Sequence, residues 1–284
     1  MTAFINNILD ITDEYDLIIS DVFGVIHDGQ KKLPNVLSFF CEVSDKVALL
    51  TNDGRCTDTV KSHLDGFDFH LNEHYKDIFT SGYFLNQFYQ RNTLEKPKCY
   101  ILDEFLTPSV ASVNLVTSIP GVEVVDQIDD AQFCFVAGVS KISLDQMKNN
   151  PELIHIYNKL LSNKCKLLCP NPDKVVVYGD SGLIPLAGSY ADMYSDMGGE
   201  VISFGKPAKY PYEFILNKYK PSKALMIGDT LDTDILGANT VGIDSLLIGT
   251  GVTKHSWLPS NDAPSFDVWL ENQSIKPTWY VNQF

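Results

Sequence analysis

The chain has 284 residues, 44% hydrophobic and 20% charged, enough for one large or two modest packed domains. Its formal net charge of −14 argues against nucleic acid and anionic membrane surfaces as partners. No apolar run approaches the roughly 18 residues of a membrane span, and the opening MTAFINNILD lacks the basic start and apolar centre of a secretory signal, so a cytoplasmic protein is expected.

The first predicted strand is Leu17–Ser20, within DLIISDVFGVIHDG (16–29). It ends on Asp21, and a phenyl ring, Phe23, follows two positions later. PNVLSFFCEVSDK (34–46) predicts a helix with Pro34 near its start and Val36, Leu37, Phe40 and Val43 on one face. The strand Val47–Leu50 runs into Thr51-Asn52-Asp53-Gly54. From about residue 84 to 199 a second alternating pattern follows, with strands at Cys99–Leu102, Val122–Val125, Phe133–Ala137 and Lys166–Leu168. Asn149-Asn150-Pro151 opens a helix whose Leu153, Ile156, Tyr157, Leu160 and Leu161 recur at helical spacing. Gly198-Gly199 marks a return.

Lys206 then stands in ISFGKPAKYPYE, ahead of a predicted helix. The strand Ala224–Ile227 leads into GDTLDTD, with Asp229, Asp232 and Asp234, and a short helix from Asp234 to Asn239 closes at Gly242 before the strand Ser245–Ile248. The tail, with Trp257, Trp269 and Trp279-Tyr280-Val281, is too aromatic to be disordered and is expected to pack on the core. The six cysteines are scattered; Cys165 and Cys169 lie close, but nothing completes a zinc site, and reduced thiols are expected. Alternating buried strands and helices predict an α/β fold with a Rossmann-like parallel sheet. The polar tips lie at both ends of the chain, which predicts a core of residues 1–83 and 200–284 with an α/β domain, 84–199, inserted into it.

In an open parallel sheet, ligands bind at the carboxyl ends of the strands, so these distant tips can converge in one crevice. Each alone is ordinary: an Asp in a turn, a Lys in a loop, carboxylates at a helix start. Together they form a set suited to phosphoryl transfer. A carboxylate can attack phosphorus and split hydrolysis into two easier steps. The charge on the equatorial oxygens is then balanced by Mg²⁺, a lysine and hydroxyl or backbone donors. Asp21 and Asp229 suit Mg²⁺, with the Phe23 carbonyl as a neutral ligand. Thr51 and the Asn52 and Asp53 amides suit phosphate oxygens, and Lys206 suits charge neutralisation at the nucleophile. Against a net charge of −14, a phosphate ester must be drawn in by such local groups.

DVFGVIHDG, LLTNDG, GKP and IGDTLDTDILGANTVGIDSLLIGTG, in this order, resemble the four motifs of the haloacid dehalogenase-like (HAD) superfamily. The long insert between the second and third motifs is similar to the subfamily IIA arrangement with its larger α/β cap. CPNPDKVVV is similar to the asparagine-proline-aspartate element that such a cap lowers toward the active site. The resemblance implies a Mg²⁺-dependent phosphatase of small metabolites such as sugar, nucleotide or glycolate phosphates. It makes Asp21 the nucleophile, Thr51 and Lys206 phosphate binders, Asp229 a metal ligand, Asp234 an outer support, and Asn171 and Asp173 substrate-facing cap residues. The oligomeric state stays open, a homodimer being one arrangement.

Phe23 departs from the pattern. The aspartate normally found there protonates the leaving oxygen and then activates water, help typically worth on the order of 10² to 10⁴ in rate. Three readings follow. The protein can be a phosphatase for sugar, aryl or acyl phosphates that borrows a proton shuttle from His27, Asp28 or Asp173, or needs none. It can be a dehalogenase-like enzyme attacking carbon, against which the acidic GDTLDTD speaks. It can be a feeble catalyst that binds a phosphorylated ligand. The first is the expectation taken forward.

Overall fold

A computed structural model describes residues 2–91, 97–119, 121–177, 183–257 and 265–284. Among these, seven strands form one parallel sheet in the order 3–4, 279–281, 244–248, 224–228, 17–20, 47–51 and 77–80. Leu17–Ser20 is an interior strand, flanked by 224–228 and 47–51, and wholly buried, which explains its unbroken apolar character: both faces of a parallel sheet are covered. The two-residue period of the strands divides them between two cores. Ile18, Leu49 and Leu225 face one core, and Leu17, Ile19, Leu50 and Met226 the other.

The predicted helix at 34–46 is an α-helix, Val36–Val43, followed by a 3₁₀ turn, Ser44–Lys46. Its buried face is Val36, Phe39, Phe40 and Val43; Leu37 is only partly covered, because Phe39 takes the inner position. The tail does more than pack. Trp279–Val281 enters the sheet between Asp244–Ile248 and the short N-terminal strand Ala3–Phe4. Tyr15 ties these pieces together, donating to Asp244 at 2.9 Å and accepting from the Trp279 indole at 2.8 Å.

A second parallel sheet runs 201–203, 166–169, 133–135, 98–101 and 123–124. Gly198-Gly199 therefore turns into this sheet's last strand, Val201–Ser203, and the return to the larger sheet comes after it. The helix Pro151–Ser162 starts where Asn150 caps the Glu152 and Leu153 amides, and it buries Leu153, Ile156, Tyr157 and Leu160. Past Asn171-Pro172-Asp173 an antiparallel hairpin pairs Val175–Val177 with Leu183–Pro185. All six cysteines are free thiols, four of them buried. No described helix is long and apolar enough to cross a membrane.

Candidate active site

Three adjacent strands of the large sheet end side by side, and their tips carry Asp21, Thr51 and Asp229. Asp21 is 8% exposed. Its backbone N–H donates to Ile227 at 2.9 Å, continuing the ladder one residue past the strand. Its Oδ1 accepts from the Val22 N–H at 2.7 Å and lies 2.6 Å from Lys206 Nζ. Lys206 is 1% exposed and stands 2.7 Å from Asp234 Oδ1 on its other side. Burial alone would favour its neutral amine, but Asp21 and Asp234 outweigh that and raise its pKa.

Asp229 is held by the Val252 N–H at 2.7 Å and the Thr230 hydroxyl at 3.1 Å. Gly24, at φ +82°, leaves room for this carboxylate: a Cβ there would stand 2.2 Å from Asp229 Oδ2. Burial, reinforced by the charges of Asp21 and Asp234, pushes Asp229 well above the ordinary carboxylate range. Burial and Asp21 likewise push Asp234 up to about 7, with Lys206 opposing. The cause is a shortage of positive charge. Oxygens of Asp21, Asp229 and Asp234 all lie within 4.8 Å of one another, with one buried ammonium among them. Asp234 Oδ1 is buried and, although close to Lys206, makes no well-directed hydrogen bond. An oxygen-rich, over-negative donor set of this kind fits a hard divalent cation. Asp232, the remaining acid of the segment, points to solvent.

Thr51, Asp53, Phe23, Asn171 and Asp173 line one crevice of about 370 Å³ together with Asp21 and Asp229. Asn52, Lys206 and Asp234 are buried; Lys206 meets the crevice through Asp21, and Asn52 is a structural clasp. The Asn52 Oδ1 accepts from the Lys206 N–H at 2.7 Å, while its Nδ2 donates to the Lys206 carbonyl at 3.0 Å and to Asp173 Oδ1 at 2.7 Å. The Asn52 side chain is thus occupied by protein. The Asp53 N–H turns to the Thr51 hydroxyl at 3.2 Å, and the Asp53 carboxylate is engaged by Arg55, whose Nε lies 2.9 Å from each oxygen.

Asn171-Pro172-Asp173 is both a turn and a contact. The Asn171 side chain accepts from the Asp173 N–H at 3.3 Å, while the Asp173 carboxyl reaches Asn52 across 121 residues of sequence. Phe23 packs edge-on to His27, with ring centroids 5.3 Å apart, and His27 stacks on Phe67. Asp28 caps its own turn through the Gln30 and Lys31 amides. Sequence reasoning passed over Arg55, His63 and the hydroxyls of Thr107, Ser109 and Ser112, all of which line the crevice. The RC dipeptide after TNDG is a signal for the first, since an arginine directly after a polar strand tip lies within reach of the same crevice.

Two family models match: haloacid dehalogenase-like hydrolase over residues 18–112, and HAD-hydrolase-like over residues 203–282. Phosphoglycolate phosphatase 2 of Arabidopsis thaliana is 38% identical over 95 residues, 32% of this chain and 32% of that protein. The alignments to this and two similar relatives span 26–32% of their lengths. 5'-Nucleotidase YutF of Bacillus subtilis is 22% identical over 269 residues, 90% of this chain and 98% of its own. Among solved structures, a haloacid dehalogenase-like hydrolase from Brucella suis 1330 superposes with a TM-score of 0.77 at 22% identity, covering 98% of this chain and 99% of that one.

Proposed function

We propose, from the premise that this chain belongs to the haloacid dehalogenase-like hydrolase superfamily, that it hydrolyses small phosphate esters with Asp21 as nucleophile and Mg²⁺ as cofactor. The observation that carries this reading is the buried group of Asp21, Asp229 and Asp234 around the single ammonium of Lys206. That group has the nucleophile, the charge and the oxygen donors that phosphoryl transfer needs. Attack on carbon needs no second and third carboxylate.

In this reading Lys206 and the Val22 N–H orient the Asp21 carboxylate, so that it meets phosphorus without reorganisation. Thr51 and the backbone beyond it receive the phosphoryl oxygens, and Asp229 and the Phe23 carbonyl join Asp21 as metal ligands. When bound there, Mg²⁺ offsets the negative charge of the phosphoryl group. Asp234 keeps Lys206 in place from beneath. Residues from about 84 to 203, which include the second sheet, act as a cap whose Asn171 and Asp173 face the substrate. The Phe23 ring lines the crevice and transfers no proton. The leaving group is that of a small metabolite, as in the sugar, glycolate or nucleotide esters of related enzymes.

A panel of alkyl, aryl and acyl phosphates, with and without Mg²⁺ and with a haloacid control, tests the reading. Phosphate release that requires Mg²⁺ and stops in EDTA is expected. Release untouched by EDTA, or halide release from the haloacid, overturns it.

A further inference from the structure

Hydrolysis through an aspartyl phosphate needs a proton for the leaving oxygen and a base for water, and Phe23 supplies neither. The carboxyl and imidazole groups around the crevice can be taken in turn. His63 lies edge-on to His27 and Phe67, and burial, with the Arg55 charge adding to it, lowers its pKa, so it carries no proton to give near neutrality. His27 Nδ1 already accepts from the Gly29 N–H at 3.0 Å, which leaves the proton of the neutral ring on Nε2. Burial, with His63 adding to it, lowers its pKa to about 4. A neutral imidazole whose lone pair is occupied neither takes a proton nor gives one up. Asp28 is committed to the amides of its exposed turn. Both oxygens of Asp53 are bound by Arg55.

Asp173 differs from all of these. It lines the crevice with Asp21 and Phe23. Its Oδ1 is fixed by Asn52 Nδ2 at 2.7 Å, and the same amide is tied at both ends to the backbone of Lys206, the residue that holds Asp21. Its backbone is fixed too. The Asp173 carbonyl accepts from the Gly188 N–H at 3.0 Å, and a Cβ on Gly188 would stand 2.6 Å from that oxygen, so helix and turn meet without a gap. Its Oδ2 has no hydrogen-bond partner among the described residues. The carboxyl is therefore positioned through one oxygen while the other is unused.

We propose that Asp173 is the general acid and base of this enzyme, taking the place that Phe23 has vacated; the proposal rests on the phosphohydrolase reading. In the first step an Asp21 oxygen bonds to phosphorus, the bond from phosphorus to the leaving oxygen breaks, and the Asp173 carboxyl proton passes to that oxygen to give the alcohol. In the second, the Asp173 carboxylate takes a proton from water as the water oxygen bonds to phosphorus. The bond from phosphorus to Asp21 breaks, inorganic phosphate leaves, and Asp173 is again protonated. Burial pushes the Asp173 carboxyl up to about 6, opposed by Lys206 and aided by Asp21, which suits a group that must carry its proton near neutrality.

The test is Asp173→Asn, which keeps an acceptor for Asn52 but has no acidic proton. With Mg²⁺, kcat/KM for an alkyl ester such as glycerol phosphate is expected to fall roughly 10²- to 10⁴-fold. For p-nitrophenyl phosphate, whose leaving group needs no proton, it should stay within about tenfold. Hydrolysis of the phosphoenzyme then limits turnover, so nitrophenolate should appear in a burst. In Asp173→Ala, added formate should restore part of the alkyl turnover. Equal loss for both esters without burst or rescue, or no loss for either, overturns the proposal while leaving the phosphohydrolase intact. A wild-type protein that cleaves neither ester overturns both. A variant that melts far below wild type is replaced by Asp173→Ala with formate, where absence of rescue counts against the proposal.

Discussion

On the large-sheet side of the crevice three buried carboxylates share one ammonium: Asp21 and Asp234 lie against Lys206, and Asp229 is held by backbone and hydroxyl donors. On the side of the second sheet the wall is mostly apolar, with Val139, Val175, Val176, Val177 and Leu186 beside the hydroxyls of Thr107, Ser109 and Ser112. Its acid is Asp173, clasped to the other side by Asn52. On the proposed phosphohydrolase reading, the contrast separates two tasks. Buried charge held in this way costs stability and would give a preorganised reaction centre. An apolar wall makes no demand on the reacting atoms and discriminates among leaving groups through the area it removes from water.

The hardest blow to the reacting wall is Asp21→Asn. It should lower phosphate release by roughly 10⁴-fold or more, because the covalent step has no substitute. The fold should persist, since an amide of nearly equal volume still accepts from Val22. Melting temperature and single-turnover phosphate release check both halves. A folded variant with substantial hydrolysis would mean that the nucleophile lies elsewhere.

Next comes the ammonium between the carboxylates. Lys206→Met removes the only side-chain cation among the described residues that Asp21 and Asp234 share. Stripping one partner from a buried ionic group typically costs about 3–5 kcal/mol, read from urea denaturation in EDTA. Adding Asp234→Asn should return part of that loss, because one stranded charge is then removed. Additive losses would show that Asp234 and Lys206 do not act as a pair. Mg²⁺ at 100 times its dissociation constant should return about 2.7 kcal/mol to any variant that retains the metal site.

How much of this contrast was legible follows from how local each signal is. Leu17–Ser20, Val47–Thr51 and Ala224–Gly228 are unbroken apolar runs, and each announces both a buried strand and the polar residue at its end. Asp21, Thr51 and Asp229 could therefore be read as neighbours from the rule that parallel strands end on one edge. Ala3–Phe4 and Trp279–Val281 could not, because strands of two and three residues have no period to detect. Val201–Ser203 was misassigned for a similar reason: the glycine pair before it marks a turn but not which sheet the chain enters. The Phe39-for-Leu37 exchange in the helix face shows the same limit within one turn. The clasp of Asn52 to Asp173 was invisible as a contact, since nothing local links residues so far apart. Asn-Pro-Asp could be singled out, but its turn and its reach across the crevice are separate facts.

A smaller effect is expected from two glycines, one behind each wall. Gly24→Ala places a Cβ 2.2 Å from Asp229 Oδ2 at a positive φ. Displacing that carboxylate should reduce hydrolysis of alkyl and aryl esters alike, on the order of 10²-fold. Gly188→Ala places a Cβ 2.2 Å from the Pro172 carbonyl. It should shift the Asn-Pro-Asp turn and depress alkyl esters about tenfold, with aryl esters nearly spared. Parallel kcat/KM measurements decide. Identical leaving-group profiles in the two variants would mean that the walls do not divide the work.

The finest division is at the hairpin strand Val175–Val177, which pairs with Leu183–Pro185 and whose three valines all line the crevice. Val176→Thr exchanges a methyl for a hydroxyl and keeps a β-branched strand former, so the pairing with Ile184 should survive. The variant loses roughly one methyl of apolar contact, about 0.8 kcal/mol. For an aryl phosphate, kcat/KM should fall about fourfold through KM, with kcat unchanged, because the contact is made equally in ground and transition states. Inhibition by inorganic phosphate should not move, since on the proposed reading phosphate meets only the tips of the large sheet. A drop in kcat, or a weaker phosphate inhibition constant, would place Val176 in contact with the reacting group and erase the boundary between the walls.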